Sequence, residues 1–231
     1  KWRTVYDGST TYIETYLRRY SKAESDGDFA NRKLITYRPN HAKRALDRVK
    51  NSIFQRLVDV KRISTIKNYI DAMAGIDRGV DLRGLSMNSF MGIKVLTELL
   101  LMGKVYIYID MPTIQERSVL ATQNIRPYLY YYRAEDVPNW VHGNPNDIYD
   151  FVNVVLTDNV YTVDEATGLP TDEKQRFRHL YIKNGEVFCD FYEDESTIAD
   201  KTVKLDISRI PLVCLELNDS LFSDICGHQI A

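Results

Sequence analysis

From Met87 to Met102 only Asn88, Ser89, Lys94, Thr97 and Glu98 interrupt an otherwise apolar run. At 100° per residue Lys94, Thr97 and Glu98 fall on one narrow side, so the pattern predicts a helix enclosed almost all round. After Gly103 the period changes to two. Val105, Ile107 and Ile109 alternate with Tyr106, Tyr108 and Asp110, which predicts a strand from Lys104 to Asp110. A polar connection follows. A second, tyrosine-rich strand then runs from Pro127 to Arg133 and the segment closes at Asn139-Trp140.

Upstream the period is helical. Tyr12, Ile13, Tyr16, Leu17 and Tyr20 mark a helix from Thr10 to Tyr20, followed by a polar break over residues 21–28. A short helix is expected from Phe29 to Tyr37, ending before Arg38-Pro39, because a residue ahead of proline is pushed out of the helical region. Asn40 can cap a longer helix running to about Val60. Its apolar stripe is Ala42, Ala45, Leu46, Val49, Ile53, Phe54, Leu57 and Val58. Its other face is Lys43, Arg44, Asp47, Arg48, Lys50, Arg56 and Lys61. A further helix is expected from Ser64 to Ala74, ended by Gly75, before the turn-rich stretch Asp77 to Gly84.

Downstream the texture is β. Asp150 to Val163 reads as a strand pair or one long strand, and Asp164 to Lys174 as an exposed loop. Arg176 to Lys183 and Glu186 to Glu193 flank Asn184-Gly185, a two-residue hairpin signal because both positions need φ > 0. Lys201 to Ile207 and Leu212 to Leu217 add two strands, with Pro211 just ahead of the last, where proline is tolerated. Helical character resumes at Ser220. The expected class is α+β: an N-terminal helical block over residues 1–84, then residues 85–231, a buried central helix packed on a mainly antiparallel β region.

Composition narrows this only slightly. The chain has 231 residues, of which 44% are hydrophobic and 27% charged, ordinary values for a globular protein. No apolar run reaches the ~18–20 residues of a membrane span, and Lys1-Trp2-Arg3 leads into polar residues rather than the apolar core of a signal peptide. The three cysteines, Cys189, Cys214 and Cys226, form no C-x-x-C, so reduced thiols in a cytosolic setting are expected. The net charge of −2 is unevenly spread. Residues 1–70 hold 16 Lys+Arg against 7 Asp+Glu, a net of +9, and the remainder 14 against 25, a net of −11. Such a split fits either two surfaces that meet across subunits or a solvated basic helical face.

Motifs for catalysis are absent. His41, His142, His179 and His228 lie too far apart in sequence for a helical metal pair, and there is no HExxH, no P-loop and no G-x-S-x-G, Gly84-Leu85-Ser86-Met87-Asn88 lacking the second glycine. No metal site and no cofactor is expected. Asp110, at a strand end, is either a catalytic acid or a side chain bonding to the backbone of the following turn. Glu135-Asp136, Glu173-Lys174 and Glu193-Asp194-Glu195 could serve a metal-dependent nuclease, yet none is paired with a base at fixed spacing. Tyr106, Tyr108, Tyr128, Tyr130, Tyr131 and Tyr132, near Arg126 and Arg133, leave three readings open: a nucleobase-stacking surface, a protein interface, or the packed face of a sheet.

One family shares this arrangement. Gly84, Ser86, Phe90, Gly103, Lys104, Asp110 and Pro112, then Arg126, Pro127, Tyr128, Tyr132, Glu135, Asn139 and Trp140, resemble the portal proteins of tailed bacteriophages. Ile210-Pro211, Glu216-Leu217, Ser220-Leu221, Asp224 and Gln229-Ile230-Ala231 continue the likeness. Tyr16-Leu17 and Phe54-Gln55-Arg56 fit more loosely. Val137-Pro138 and Asn218 depart from the family pattern. The resemblance implies a structural, non-catalytic virion subunit at the head–tail vertex, assembled in the host cytoplasm. Its copies would form a homo-oligomeric ring, twelve in the family, through which double-stranded DNA passes without sequence specificity during packaging and ejection. Terminase, capsid, scaffolding and neck or adaptor proteins are the implied partners. This chain would be mainly the wing, stopping where the first stem helix begins, near Ser223 to Ala231, with stem, clip and crown outside it. Two other functions stay open: a nucleic-acid-binding accessory domain using the basic helices of residues 1–70, and the metal-dependent nuclease.

Overall fold

A computed structural model describes residues 1–8, 10–36, 40–57, 60–111, 126–164, 167–193 and 198–230, the side chains of 57 and 227–230 excepted. The chain is α+β, as expected, and divides into two compact units.

The helical unit comprises residues 1–79, 83–104 and 216–231. Its elements are α1 (Trp2–Asp7), α2 (Thr10–Tyr16), α3 (Asp26–Ile35), α4 (His41–Leu57), α5 (Lys67–Ala74), a composite helix from Met87 to Met102, and α8 (Leu221–Ile230). Two of the starts are written in the sequence. Ser25 accepts a hydrogen bond from the Asp28 N–H at the head of α3, and Asn40 Oδ1 accepts from the Lys43 N–H at 2.9 Å at the head of α4. The short α1 lacks an amphipathic repeat long enough to read, and the sequence pattern misses it.

The composite helix differs from the ideal wheel. It begins as α6 (Met87–Ser89), capped by Ser86, passes through a π-helical stretch (Phe90–Val95), and ends as α7 (Leu96–Met102) at the left-handed Gly103. A π turn bonds i to i+5, so each residue advances by less than 100° and every later side chain is rotated from its expected position. Ile93 is therefore 44% exposed, while Glu98, expected on the open side with Lys94, is 5% exposed. Glu98 is tolerated there because Arg3 grips both its oxygens, Nη1 at 2.9 Å from Oε1. The π stretch also admits Gly92 beneath the ring of Phe54, where an added Cβ would sit 1.7 Å from ring carbon.

The covering of this helix corrects the sequence expectation. Leu100 and Leu101 are buried with Val5, Tyr6, Tyr12, Ala42, Leu46, Phe222 and Cys226, all from helices. The helix belongs to the helical unit and not to the β region, so a division between residues 84 and 85 does not follow the compact units. Part of the cover is α8, expected as a helix but distant in sequence, and Ser220 just ahead of it joins it to α7. Ser220 Oγ donates to Leu101 O at 2.7 Å and accepts from the Phe222 N–H at 3.0 Å.

The β unit comprises residues 80–82 and 105–215. It is built from β1 (Lys104–Asp110), β2 (Tyr128–Arg133), β3 (Asn139–His142), β4 (Phe151–Val163), β5 (Pro170–Lys183), β6 (Glu186–Glu193), β7 (Lys201–Leu205) and β8 (Leu212–Glu216). One sheet has the order β2-β1-β8 and the other is a five-stranded meander, β3-β4-β5-β6-β7. β1 and β2 pair antiparallel, as do all neighbours in the meander. Asn184 and Gly185 have φ of 55° and 80°, as the β5–β6 hairpin requires. The expected loop from Asp164 to Lys174 is shorter than the pattern indicated. β5 begins at Pro170, and its polar residues continue the ladder, Val160 opposite Lys174 and Tyr161 opposite Glu173. Both faces are exposed at this end, so the alternation that marks a strand never develops.

Candidate functional site

The two sheets of the β unit share one core. Tyr106, Tyr108 and Tyr132 from the smaller sheet are buried with Val154, Leu156, Leu180, Val187 and Cys189 from the larger. At one edge of this core the apolar packing gives way to a polar cluster built on strand alternation. β4 presents Val154, Leu156 and then Asp158 on one face, and β5 presents Leu180 and then Arg178. β2 turns Tyr128, Tyr130 and Tyr132 to the same side, opposite Asp110, Tyr108 and Tyr106 of β1.

Arg178 is the centre. Its Nη2 and Nε lie 2.8 and 3.1 Å from Asp158 Oδ2, and Nη1 donates to the Tyr130 hydroxyl at 2.7 Å. Nη1 is also 3.9 Å from Asp110 Oδ2. The guanidinium sits 5.6 Å from the ring of Tyr108 and 5.7 Å from that of Phe191, within cation–π range. Tyr132 donates to Asp158 Oδ1 at 2.6 Å. Tyr128 and Tyr130 donate to Asp110 Oδ2 at 3.1 and 3.3 Å. The phenols of Tyr128, Tyr130 and Tyr132 thus each have a charged acceptor or donor.

Burial sets the protonation states. It pushes the Tyr108 phenol up to about 12, with Arg178 opposing and Asp110 assisting. Tyr130 and Tyr132 are raised for the same first reason. The Cys189 thiol is raised to about 11, again by burial first. Burial works against the charge on Arg178, but the tyrosines and Asp158 outweigh it and hold the pKa above its ordinary value. At neutral pH, beside the Arg178 cation and the side chains of Asp110 and Asp158, these phenols and this thiol are therefore uncharged. Such groups are poor bases and nucleophiles. They are well suited to bracing two sheets. A cleft of about 530 Å³ opens beside the brace, lined among others by Asp110, Tyr128, Arg176, Asp200 and Lys201.

The residues singled out in the sequence scatter. Asp110 and Tyr128 meet directly. Asp110 Oδ1 accepts from the Met111 N–H at 2.8 Å. The side chain therefore bonds the adjacent backbone and two tyrosines. Tyr108, Tyr130 and Tyr132 pack the sheet face, the third of the readings left open, rather than forming an exposed stacking surface. Trp140 is 38% exposed at the edge strand β3, its ring 6.1 Å from that of Tyr106. Glu135, Asn139 and Pro127 are exposed, and Arg126 is half-buried. Gly84, Ser86, Phe90 and Gly103 lie in the helical unit, where Ser86 caps α6, Phe90 is buried, and Gly84 and Gly103 have positive φ. Pro112, with Arg38-Pro39, Val58 and Asp194-Glu195, lies outside the described residues. Among the described residues no three of His, Cys, Asp and Glu are grouped to hold a metal.

Sequence reasoning missed Arg178 and Asp158. The signal was available: each stands two residues from a fully buried leucine, Leu180 and Leu156, at a core-facing position of its strand. No protein-family model matches the chain, and no curated protein matches it in sequence.

Proposed function

We propose that the chain is the wing part of a portal subunit, which assembles with copies of itself into a ring at the head vertex and lets duplex DNA pass. The observation that supports the reading most is the run from Ser86 to Tyr128. There a capped, buried helix ends at left-handed Gly103, continues directly into β1, and closes through Asp110 accepting from Tyr128. This is the order in which the family-like residues occur, and the fold gives each of these four a structural task. The brace around Arg178 fits a part that carries load and does not turn over substrate.

The basic helices offer a weaker case for a nucleic-acid-binding domain. Much of their charge is engaged within the unit: Lys43 and Lys50 with Asp47, Arg32 with Glu24, and Arg3 with Glu98. Particle mass and negative-stain imaging of the protein expressed from its full gene test the proposal. Rings with a central hole are expected, together with weak duplex binding, since a tunnel must let DNA slide. A protein that stays monomeric and binds duplex DNA tightly with a steep salt slope overturns it in favour of the accessory domain. Divalent-ion-dependent cutting lost in Asp110→Asn overturns it in favour of the nuclease.

A further inference from the structure

The face of the meander opposite the brace carries a second cluster. β5 places Phe177, His179 and Tyr181 at alternate positions, and β6 places Tyr192, Asp190 and Phe188 opposite them in that order. Their strand neighbours Arg178, Leu180 and Cys189 face the core, so these six side chains share the outer face. The rings are only half-buried. They nonetheless touch one another: His179 lies 5.0 Å from Tyr181 and 6.5 Å from Tyr192, and Tyr181 stacks on Phe188 at 5.7 Å.

Beneath them sits Asp190, 9% exposed, with a buried Oδ1 that has no hydrogen-bond donor. His179 does not supply one through Nε2, which is 3.2 Å from Asn153 Oδ1. A shallow groove of about 490 Å³ runs over this spot, lined by Val141, Asn153, His179, Tyr181, Asp190 and Tyr192 among others. The Tyr181 phenol interacts with this carboxylate, but its donor-free Oδ1 beneath aromatic rings suits a particular ligand, a cation that stacks on a ring and donates N–H at its edge. Guanidinium does both, whereas an ammonium is compact and strongly hydrated. Residues 71–231 carry a net charge of −11, which draws a basic partner and repels phosphate.

We propose that this groove is a docking site for an arginine side chain of a partner protein, its guanidinium against Tyr181 and Tyr192 and donating to Asp190 Oδ1. The site does not depend on the portal reading and stands or falls separately. An NMR titration of the intact chain with the peptide acetyl-Gly-Arg-Gly-amide tests it. Saturable shifts confined to the rings of His179, Tyr181 and Tyr192 are expected. Binding should weaken about tenfold in Asp190→Asn, equivalent to ~1.4 kcal/mol, and should be weaker for the lysine peptide. Tyr181→Leu, which keeps apolar cover on the sheet, should give a comparable loss and serves where Asp190→Asn does not fold. The proposal is overturned by no saturable shifts, by unchanged affinity in both folded variants, by a glutamate peptide binding equally, or by a short oligothymidine binding more tightly.

Discussion

Arg178 shows what a single residue can do to a β core. Its guanidinium and the Asp158 carboxylate are 15% and 17% exposed, so each depends on the other for compensation. Replacing Arg178 by Leu strands Asp158 and should destabilise the protein by about 3 kcal/mol, read by urea unfolding. The double variant Arg178→Leu/Asp158→Leu should cost clearly less, because neither charge is left alone. The surrounding phenols predict an alkaline limit. Tyr108 has its pKa raised from 10.0 to about 12 by folding, so the folded state holds this proton more tightly than the unfolded one. Its contribution is complete below pH 10, falls as the pH passes from 10 to 12, and is lost above. Tyrosinate absorbance followed alongside circular dichroism should show ionisation and loss of structure together in that window. An independently ionising Tyr108 in an intact fold would contradict this. At this scale the sequence was half legible. Asp110 and Tyr128 stood out by type and position, while Arg178 and Asp158 were hidden because a charge among alternating apolar residues looks like a strand's solvent face.

Among the elements, strands with one buried face were easiest to read, and the hairpin at Asn184-Gly185 was fixed by backbone chemistry alone. Two failures have local causes. The outer half of the β4–β5 hairpin is exposed on both faces, which removes the period-2 signal from Pro170 to Lys174. The π stretch from Phe90 to Val95 breaks the 3.6 period within an otherwise apolar run, so the wheel assigned Glu98 to the wrong side. Gly92→Ala places a methyl against the Phe54 ring and should lower stability by about 1–3 kcal/mol in thermal unfolding. Adding Phe54→Ala should remove most of the further cost of Gly92→Ala, measured against Phe54→Ala alone. If the alanine at 92 is equally costly in both backgrounds, the close approach of that ring is not what fixes glycine there.

For the whole molecule the class was legible and the partition was not. Alternation identified the β region, but the helical unit is assembled from three separated stretches, and no periodicity reveals that Phe222 and Cys226 return to pack on Val5, Leu46 and Leu101. The uneven charge belongs to this scale too. Arg44 and Arg48 are exposed on α4, and if oppositely charged surfaces meet between copies, reversing both to Glu should reduce self-association at low salt in sedimentation velocity. The difference should shrink as salt rises and the Debye length falls to ~10 Å at 0.1 M. Unchanged sedimentation across that range would remove charge pairing from the account of assembly. One further consequence follows from the way the chain leaves and re-enters the helical unit. Gly103 and Leu217 are joined by a hydrogen bond of 2.8 Å, and Lys104 and Glu216 by an ion pair of 3.2 Å. Residues 105–215, all of the β unit but residues 80–82, therefore begin and end at neighbouring positions of the chain. A host with its exit and return side by side tolerates enlargement, shrinkage or exchange of what hangs between them. Variation in length among natural versions of this chain should accumulate there first.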